Sequence, residues 1–367
     1  MNRFGITFLL VAVLSCVSNS AFSDDIEAAK LALDNGDFVT SNKLFLNLAK
    51  SGNPEALEHL GWQSLVGSNG LEKNATLGAE YLKRALASYI KKASNGNPEA
   101  QIRLGNIYSK EFESKRFGTV SNKEESAKWY MKGIATYQKS AEKGNPKALT
   151  ALAHAYRFAE GVEGNGNKAF ELYKQAAEQK FIPAKEELGQ WLSTYKDPKL
   201  EELGISYLEE ASNEGSISSK KLLAIIYKRK GDDFSNGNGV TKDASQGFNY
   251  YLKAVNLYGE APTQFNVGVA YYFGDGVYQD KEKAAYWLQK SASKGHLIAQ
   301  YNLGLMLING DGIPKNYLRG YVLMNIAAGR GKTEAANLRD QVEAMLSPQD
   351  RSEGQRKAAE WTYGVDL

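Results

Sequence analysis

Apolar residues recur along this chain with the spacing of helices. In one stretch Ala299, Leu303 and Leu307 follow one another at intervals of four residues, with Gly304 beside them. Positions three or four residues apart share one face of an α-helix, so this stripe predicts an amphipathic helix. No alternation of apolar and polar residues is long enough to indicate a half-buried strand. The pattern therefore predicts an all-α protein.

One short phrase, a leucine or valine followed by glycine or alanine, returns along the sequence. Its copies begin at Leu60, Leu104, Leu152, Leu188, Leu223, Val267 and Leu303, with Leu338 as a degenerate eighth copy. Most intervals are 35 or 36 residues, and three are 44, 48 and 44 residues. Such a period indicates a repeat array of about 36 residues per unit with insertions. We expect the first two long units to have longer second helices, and residues 232–243 to form an expanded turn.

Turn residues divide each unit into two helices. Gly310 and Gly312 are expected to end the first helix, because glycine readily takes the positive φ of a helix C-terminus. Asn316 is a suitable N-cap for the second helix. Gly304 lacks a Cβ and lets the facing helix approach closely. The motif Gly-Asn-Pro separates units at 52–54, 96–98 and 144–146.

The two clearest units carry the same features at an offset of 36 residues. The paired positions are Gly268 and Gly304, Gly274 and Gly310, Gly276 and Gly312, Asp280 and Asn316, Trp287 and Leu323. With these motifs the chain resembles the Sel-one-like repeat family, a relative of the tetratricopeptide repeat, over residues 27–362. The resemblance implies stacked antiparallel helix pairs that form a right-handed superhelical solenoid of about seven to eight repeats. It implies no shared chemistry.

The pattern suggests four segments. Residues 1–23 are expected to be a signal peptide, residues 24–53 N-terminal capping helices, residues 54–333 the repeat solenoid, and residues 334–367 C-terminal capping helices. Ser347 followed by Pro348 is typical of a helix start, and it predicts a last helix that seals the end of the array.

The beginning of the chain is typical of an exported protein. Arg3 precedes a largely apolar run over residues 4–17, small and polar residues follow, and an acidic pair begins at Asp24. Cys16, the single cysteine, is either an ordinary residue of the signal or the lipidated first residue of a lipoprotein. A single cysteine allows no intramolecular disulfide. We therefore expect the bacterial periplasm as the location, with an outer-membrane lipoprotein as the alternative.

The overall charge argues against a nucleic-acid partner. The formal net charge is +3, and Arg3 is the only charged residue before Asp24. A chain this close to neutral lacks the strongly basic balance typical of nucleic-acid binding. The apolar fraction of 43% is sufficient for a packed core.

The sequence contains no recognisable catalytic set, so we expect a protein that is not an enzyme and needs no cofactor or metal. His59, His154 and His296 fall in different repeats, and no zinc-protease or serine-hydrolase motif occurs. Gly331-Lys332-Thr333 ends like a phosphate-binding loop but lacks its earlier glycine. Residues 232–243 only faintly resemble a calcium loop.

Binding residues are expected on the first helix of each repeat. Helical solenoids bind partners along extended concave surfaces. Relative to the small residue of each repeat, positions −2, +1 and +5 lie roughly opposite the packed stripe. The predicted partner-binding residues are His59, Trp62, Arg103, Asn106, His154, Phe158, Glu187, Gln190, Asn266, Phe273 and Asn302. Aromatic and arginine side chains among amides are typical of protein interfaces.

The leading functional hypothesis is an exported scaffold that binds a protein partner, of unknown identity, in the bacterial cell envelope. The alternative is a module that binds peptidoglycan or an exported polysaccharide, because the 21 tyrosines offer aromatic faces for sugars. A hydrolase is a third hypothesis, which requires two carboxyl groups held together in a cleft.

Overall fold

The computed structural model describes residues 25–33, 36–362 and 364, and these residues form helices and turns with no strand. The all-α class is therefore confirmed. The chain divides into two compact units, one ending at Glu214 and the other beginning at Gly215. The predicted signal peptide, including Cys16, lies outside the described residues. Within the described residues, no helix is both long and apolar enough to cross a membrane.

The helices follow one another with short connections. In the first unit they are α1 (25–33), α2 (Phe38–Lys50), α3 (Pro54–Val66), α4 (Ala75–Ser94), α5 (Pro98–Ser109), α6 (Glu111–Arg116), α7 (Lys123–Ala141), α8 (Pro146–Phe158), α9 (Gly166–Glu178), α10 (Ile182–Leu192) and α11 (Pro198–Asn213). In the second unit they are α12 (Ile217–Asn236), α13 (Ala244–Leu257), α14 (Ala261–Phe273), α15 (Lys281–Ser293), α16 (Leu297–Asn309), α17 (Tyr317–Gly329), α18 (Thr333–Glu343) and α19 (Pro348–Glu360).

Seven helix pairs form the repeats. The first unit holds the pairs α3–α4, α5–α7, α8–α9 and α10–α11, and the second holds α12–α13, α14–α15 and α16–α17. Within each unit, the second helix of a pair also packs against the first helix of the next pair, for example α15 against α16. The repeat architecture and its number of units are confirmed.

In four of the seven pairs, two helix backbones approach closely at a glycine on each helix. A Cβ placed on Gly204 of α11 would lie 2.5 Å from the backbone nitrogen of Ser193 and 2.8 Å from the carbonyl oxygen of Gly189. The same crossing joins Gly61 to Gly78, Gly231 to Gly247 and Gly304 to Gly320. The expectation for Gly304 is confirmed, and a second small residue on the facing helix completes the contact.

In six of the seven pairs, all but α10–α11, the turn is held by the residue that caps the second helix. The side chain of Asn316 accepts a hydrogen bond from the backbone N–H of Arg319 at 2.9 Å, as predicted. Its own backbone N–H donates to the carbonyl of Leu307 at 2.8 Å, in the last turn of α16. Asp280 donates in the same way to the carbonyl of Tyr271 at 2.9 Å. One residue therefore caps one helix and binds the end of the other.

The fifth pair departs from the sequence-based expectation. Residues 232–236 continue α12 as helix, so the prediction of an expanded turn over residues 232–243 was wrong for this part. α12 is 20 residues long and presents Gly231, two turns beyond Ala224, to Gly247 of α13. Ala224 belongs to the repeated phrase, but Gly231 makes the close approach. The insertion here lengthens the first helix.

The first two long units have longer second helices, as predicted. α4 has 20 residues and α7 has 19, against 13 in α15. The additional helix α6, between α5 and α7, was not predicted. Phe117 at its end is almost completely buried, which anchors this insertion to the core.

The C-terminal helices α18 and α19 each pack against α17. Ser347 caps α19 through a hydrogen bond from the backbone N–H of Asp350 at 3.1 Å, with Pro348 in the first turn, as predicted. Gly354 of α19 lies against the ring of Tyr321, which is 1% exposed. The last two helices thus cover the final repeat.

Replacing Gly204 with alanine should destabilise the protein. The added methyl group would collide with backbone atoms that cannot move independently, at a cost of about 1–3 kcal/mol, although alanine improves helix propensity by roughly 1 kcal/mol. Gly329→Ala is the control, because nothing lies within 4 Å of its Cβ position. Urea denaturation should show a lower free energy of unfolding for Gly204→Ala and an unreduced one for Gly329→Ala. Equal stability of the two variants would contradict the close-approach account.

Candidate functional site

The eleven predicted partner-binding residues all lie on first helices of the repeats, and none of them is buried. α3 carries His59 and Trp62, α5 carries Arg103 and Asn106, α8 carries His154 and Phe158, α10 carries Glu187 and Gln190, α14 carries Asn266 and Phe273, and α16 carries Asn302. Their role in binding stays a prediction. The structure shows which of them already have partners within the chain.

At α3 and α5, the predicted residues are engaged by the inserted helix α6. The guanidinium of Arg103 forms ion pairs with Glu58 of α3 and with Glu113 of α6, the latter at 2.8 Å. Arg116 of α6 lies over the ring of Trp62, 3.9 Å from its centre, and also pairs with Glu113 at 2.8 Å. Trp62 and Arg103 therefore support α6, and their replacement tests folding as well as binding.

The electrostatics of this cluster favour the charged arginine. Burial disfavours the cation, but hydrogen bonds and charges of Glu58 and Glu113 outweigh burial and raise the pKa of Arg103 above its ordinary value. The phenol of Tyr89 donates a hydrogen bond to Glu58 at 2.8 Å. The pKa of Tyr89 is raised, first by burial and then by the charge of Glu58.

A second cluster connects α8 and α10. Arg157 lies 4.6 Å from the ring centre of Phe158 and 5.0 Å from that of Trp191, and it pairs with Glu187 at 3.4 Å. Arg157 and Trp191 were not predicted as site residues. The spacing rule did not select them, although an arginine beside Phe158 is a usable signal. Phe158 remains half exposed at 50%.

In the second unit, predicted positions of two successive repeats line one cavity of about 250 Å³. Its lining residues are Val269, Tyr272, Phe273, Leu288, Asn302, Leu305, Met306, Asn309 and Asp311. Phe273 and Asn302, predicted from different repeats, are thus brought together. α14 and α16 supply most of this lining.

A smaller cavity of about 200 Å³ adjoins the first and shares Val269 with it. The predicted residue Asn266 lines this second cavity together with Lys242 and Asp275. Its amide nitrogen lies 3.4 Å from Asp232 of α12. The first helices of three successive repeats therefore line a common stretch of surface in this unit.

One wall of the larger cavity is fixed by a charged network. Tyr272 donates a hydrogen bond to the carboxylate of Asp311 at 2.6 Å, and Lys281 pairs with the same carboxylate. Hydrogen bonds from Lys281 and Tyr272 lower the pKa of Asp311, and the bond to Asp311 raises the pKa of Tyr272. Tyr278, in the following turn, is 95% exposed.

The three histidines have packing partners at separate places. His59 stacks on Phe45 with ring centres 3.8 Å apart. His154 lies 4.5 Å from Phe158. His296 accepts a hydrogen bond from the backbone N–H of Ala299 at 3.2 Å and so caps α16. Each histidine is accounted for by local structure.

A family model for the Sel1 repeat matches residues 54–88, 98–135, 146–181, 234–258, 261–296 and 297–332, together more than half of the chain. The chain belongs to the Sel1 repeat family. Sel1 repeats form protein-interaction scaffolds and are generally non-catalytic. The match at 234–258 begins near the end of α12 and covers α13.

One curated relative is an exopolysaccharide production negative regulator from Rhizobium meliloti (strain 1021), 26% identical over 180 residues. The match covers 49% of this chain, and the chain spans about half (55%) of the length of that relative.

Two solved structures that match this chain are Sel1-type proteins. One is a protective antigen of uropathogenic Escherichia coli strains displaying an SLR fold, 20% identical, covering 97% of this chain and 95% of that chain with a TM-score of 0.33. The other is a Sel1 repeat protein from Oxalobacter formigenes, 26% identical, covering 68% of this chain and 94% of that chain with a TM-score of 0.36.

Arg103→Ala should destabilise the first unit by about 2 kcal/mol, because it removes charged hydrogen bonds from two partly buried carboxylates. Lys115→Ala is the matched control in the same insertion. Its ion pair with Glu111 is 72% exposed on both sides, so we expect almost no change. Urea denaturation measures the free energy of unfolding of both variants. If Arg103→Ala leaves this free energy unchanged, Arg103 does not support α6.

Acid should weaken the packing of His59. Burial, together with the charge of Lys30, lowers the pKa of His59 below its ordinary value of about 6.5. Between these two pKa values the unfolded chain binds the extra proton, so stability falls as the pH decreases below about 6.5. Thermal unfolding at about pH 7.5 and about pH 5.5 should show a smaller loss of stability for His59→Gln than for the parent protein. If His59→Gln and the parent protein lose the same stability between the two pH values, His59 does not contribute to the loss.

Proposed function

We propose that this protein is a non-catalytic adaptor that binds a protein partner through the first helices of its repeats. The observation that carries the proposal is the cavity between α14 and α16. There, residues selected from the sequence on the first helices of two successive repeats, including Phe273 and Asn302, surround one space. This is the arrangement expected if the repeat surface is used for binding.

The side chains at this surface have the composition of a protein interface. Phe273 is 65% exposed at the end of α14, and a large aromatic residue in such a position is a typical interface anchor. Amide side chains such as Asn302 can both donate and accept hydrogen bonds. In the other unit, Arg157 between Phe158 and Trp191 offers a similar mixture.

The non-catalytic part of the proposal is supported by the family and by the roles of the histidines. Sel1 repeats are generally non-catalytic scaffolds. His59 and His154 pack against aromatic rings, and His296 caps a helix. These interactions give each histidine a structural reason to be present.

The location in the bacterial cell envelope is part of the same proposal. It is supported by the basic start, the apolar run over residues 4–17 and the acidic pair at Asp24. Lipidation at Cys16 is the alternative that would tether the adaptor to a membrane. A role in regulating envelope polysaccharide is compatible with the name of the Rhizobium relative.

A pull-down from envelope extracts tests the proposed surface. Phe273→Ala combined with Asn302→Ala should weaken retention of a specific protein by at least about tenfold, because anchors of this type contribute more than about 1–2 kcal/mol. Tyr286→Ala is the control, since Tyr286 is 54% exposed on the second helix α15. Unchanged retention by the double variant would refute this surface. Co-sedimentation with peptidoglycan but capture of no protein would favour glycan binding.

A further inference from the structure

The cavity between α14 and α16 is specific enough to indicate what part of a partner it accepts. We propose that it takes one large apolar side chain from an extended peptide segment whose backbone runs along α16. This inference rests on the proposed adaptor function and adds the chemistry of the partner. Four features of the second unit support it.

The first feature is the size of the cavity. Its volume of about 250 Å³ is below the range of about 300–1,000 Å³ in which small-molecule and cofactor sites usually fall. It is suited to a single side chain. A whole cofactor or drug-sized ligand would extend well beyond it.

The second feature is the apolar wall. Val269, Leu305 and Met306 line the cavity, and Phe273 stands at its edge with 65% of its surface exposed. Apolar surface left in contact with water is stabilised when an apolar group covers it. An aromatic or leucine side chain inserted from a partner would cover Phe273 and the wall together.

The third feature is a pair of amides along α16. Asn302 and Asn309 both line the cavity and are seven residues apart, which corresponds to about 10.5 Å along a helix. Three residues of an extended peptide span roughly 10 Å. Neither side-chain amide has a hydrogen-bond partner in the part of the chain that the structure describes. Each can therefore pair with a backbone N–H and C=O of a segment lying beside α16.

The fourth feature is a charged donor and a charged acceptor of hydrogen bonds in the adjoining cavity, Lys242 and Asp275. Lys242 and Asp275 line it, and neither side chain forms an ion pair with any other described residue. By contrast, Asp311 in the larger cavity is already bound by Tyr272 and Lys281. A peptide presents carbonyl oxygens to an ammonium group and N–H groups to a carboxylate. A hydrocarbon chain presents neither, so a peptide fits both cavities better than a lipid.

Methyl NMR titrations of the full chain test this inference. The probes are synthetic peptides Gly-Ser-Thr-X-Thr-Ser-Gly with phenylalanine, leucine, alanine or glutamate at X. The phenylalanine and leucine peptides should shift the methyl signals of Val269, Leu305 and Met306. The alanine peptide should bind about 10-fold more weakly or worse, because it buries far less apolar surface. Equal effects of the alanine and phenylalanine peptides would overturn the proposal.

Two variants fill the cavity. Val269→Phe and Leu305→Phe should each abolish the shifts caused by the phenylalanine peptide, while methyl signals outside the cavity confirm that the fold is kept. Ile225→Phe is the matched control, because it adds a phenyl ring at an α12 side chain that is 52% exposed and outside both cavities. Retained binding by both filling variants would overturn the proposal, as would shifts caused by N-acetylglucosamine oligomers but by none of the peptides.

The filling variants also separate this inference from the adaptor function. If Val269→Phe retains the envelope partner while the Phe273 and Asn302 double variant loses it, the cavity inference fails and the adaptor function stands. If both retain the partner, the proposed surface fails as well. Loss of the partner in Val269→Phe but not in Ile225→Phe supports both.

Discussion

The close approach of two helix backbones at small residues is the contact on which most of the helix pairs depend. At Gly204 there is no room for a Cβ, because the backbone nitrogen of Ser193 and the carbonyl oxygen of Gly189 occupy that space, and at Gly189 the side chain of Leu208 and the carbonyl oxygen of Gly204 occupy it. The cap of the second helix then binds the last turn of the first, as Asn316 does with Leu307. Where a pair has both contacts, they fix the distance and the axial position of its two helices.

The helix pairs differ in helix length and in insertions at places that lie outside these two contacts. α4 and α7 are longer than α15 at their far ends, beyond the close approach, so the crossing is unaffected. α6 is inserted in the connection between α5 and α7, and it lies on the first-helix side, where it contacts Trp62 and Arg103. The insertion changes the surface available for binding while the pair beneath it keeps its geometry. This insertion therefore changes the first-helix surface more than it changes the helix pair.

The sequence predicts much of the fold because the repeated signals are local. A glycine pair that ends a helix, followed by an asparagine that caps the next, acts within a few residues, so Gly310 and Asn316 could be assigned correctly. The fifth repeat could not be assigned, because Ala224 and Gly231 are two turns apart on nearly the same helix face. Only the position of α13 decides which of them meets Gly247.

The site was predictable in part for the same reason. Equivalent repeat positions identified the helix face that carries Phe273 and Asn302, and the structure brings them to one cavity. Long-range partners were not predictable from spacing. The pairing of Arg103 with Glu113 depends on how α6 folds back, and the contact of Arg157 with Trp191 depends on the packing of two repeats.

The most direct test of binding through first helices is photo-cross-linking in living cells, with a benzophenone amino acid at position 273 on α14 or at position 286 on α15. The account predicts one discrete cross-linked protein from position 273 and little from position 286. A discrete cross-linked protein from position 286 and none from position 273 would place the partner on the second helices and contradict the account.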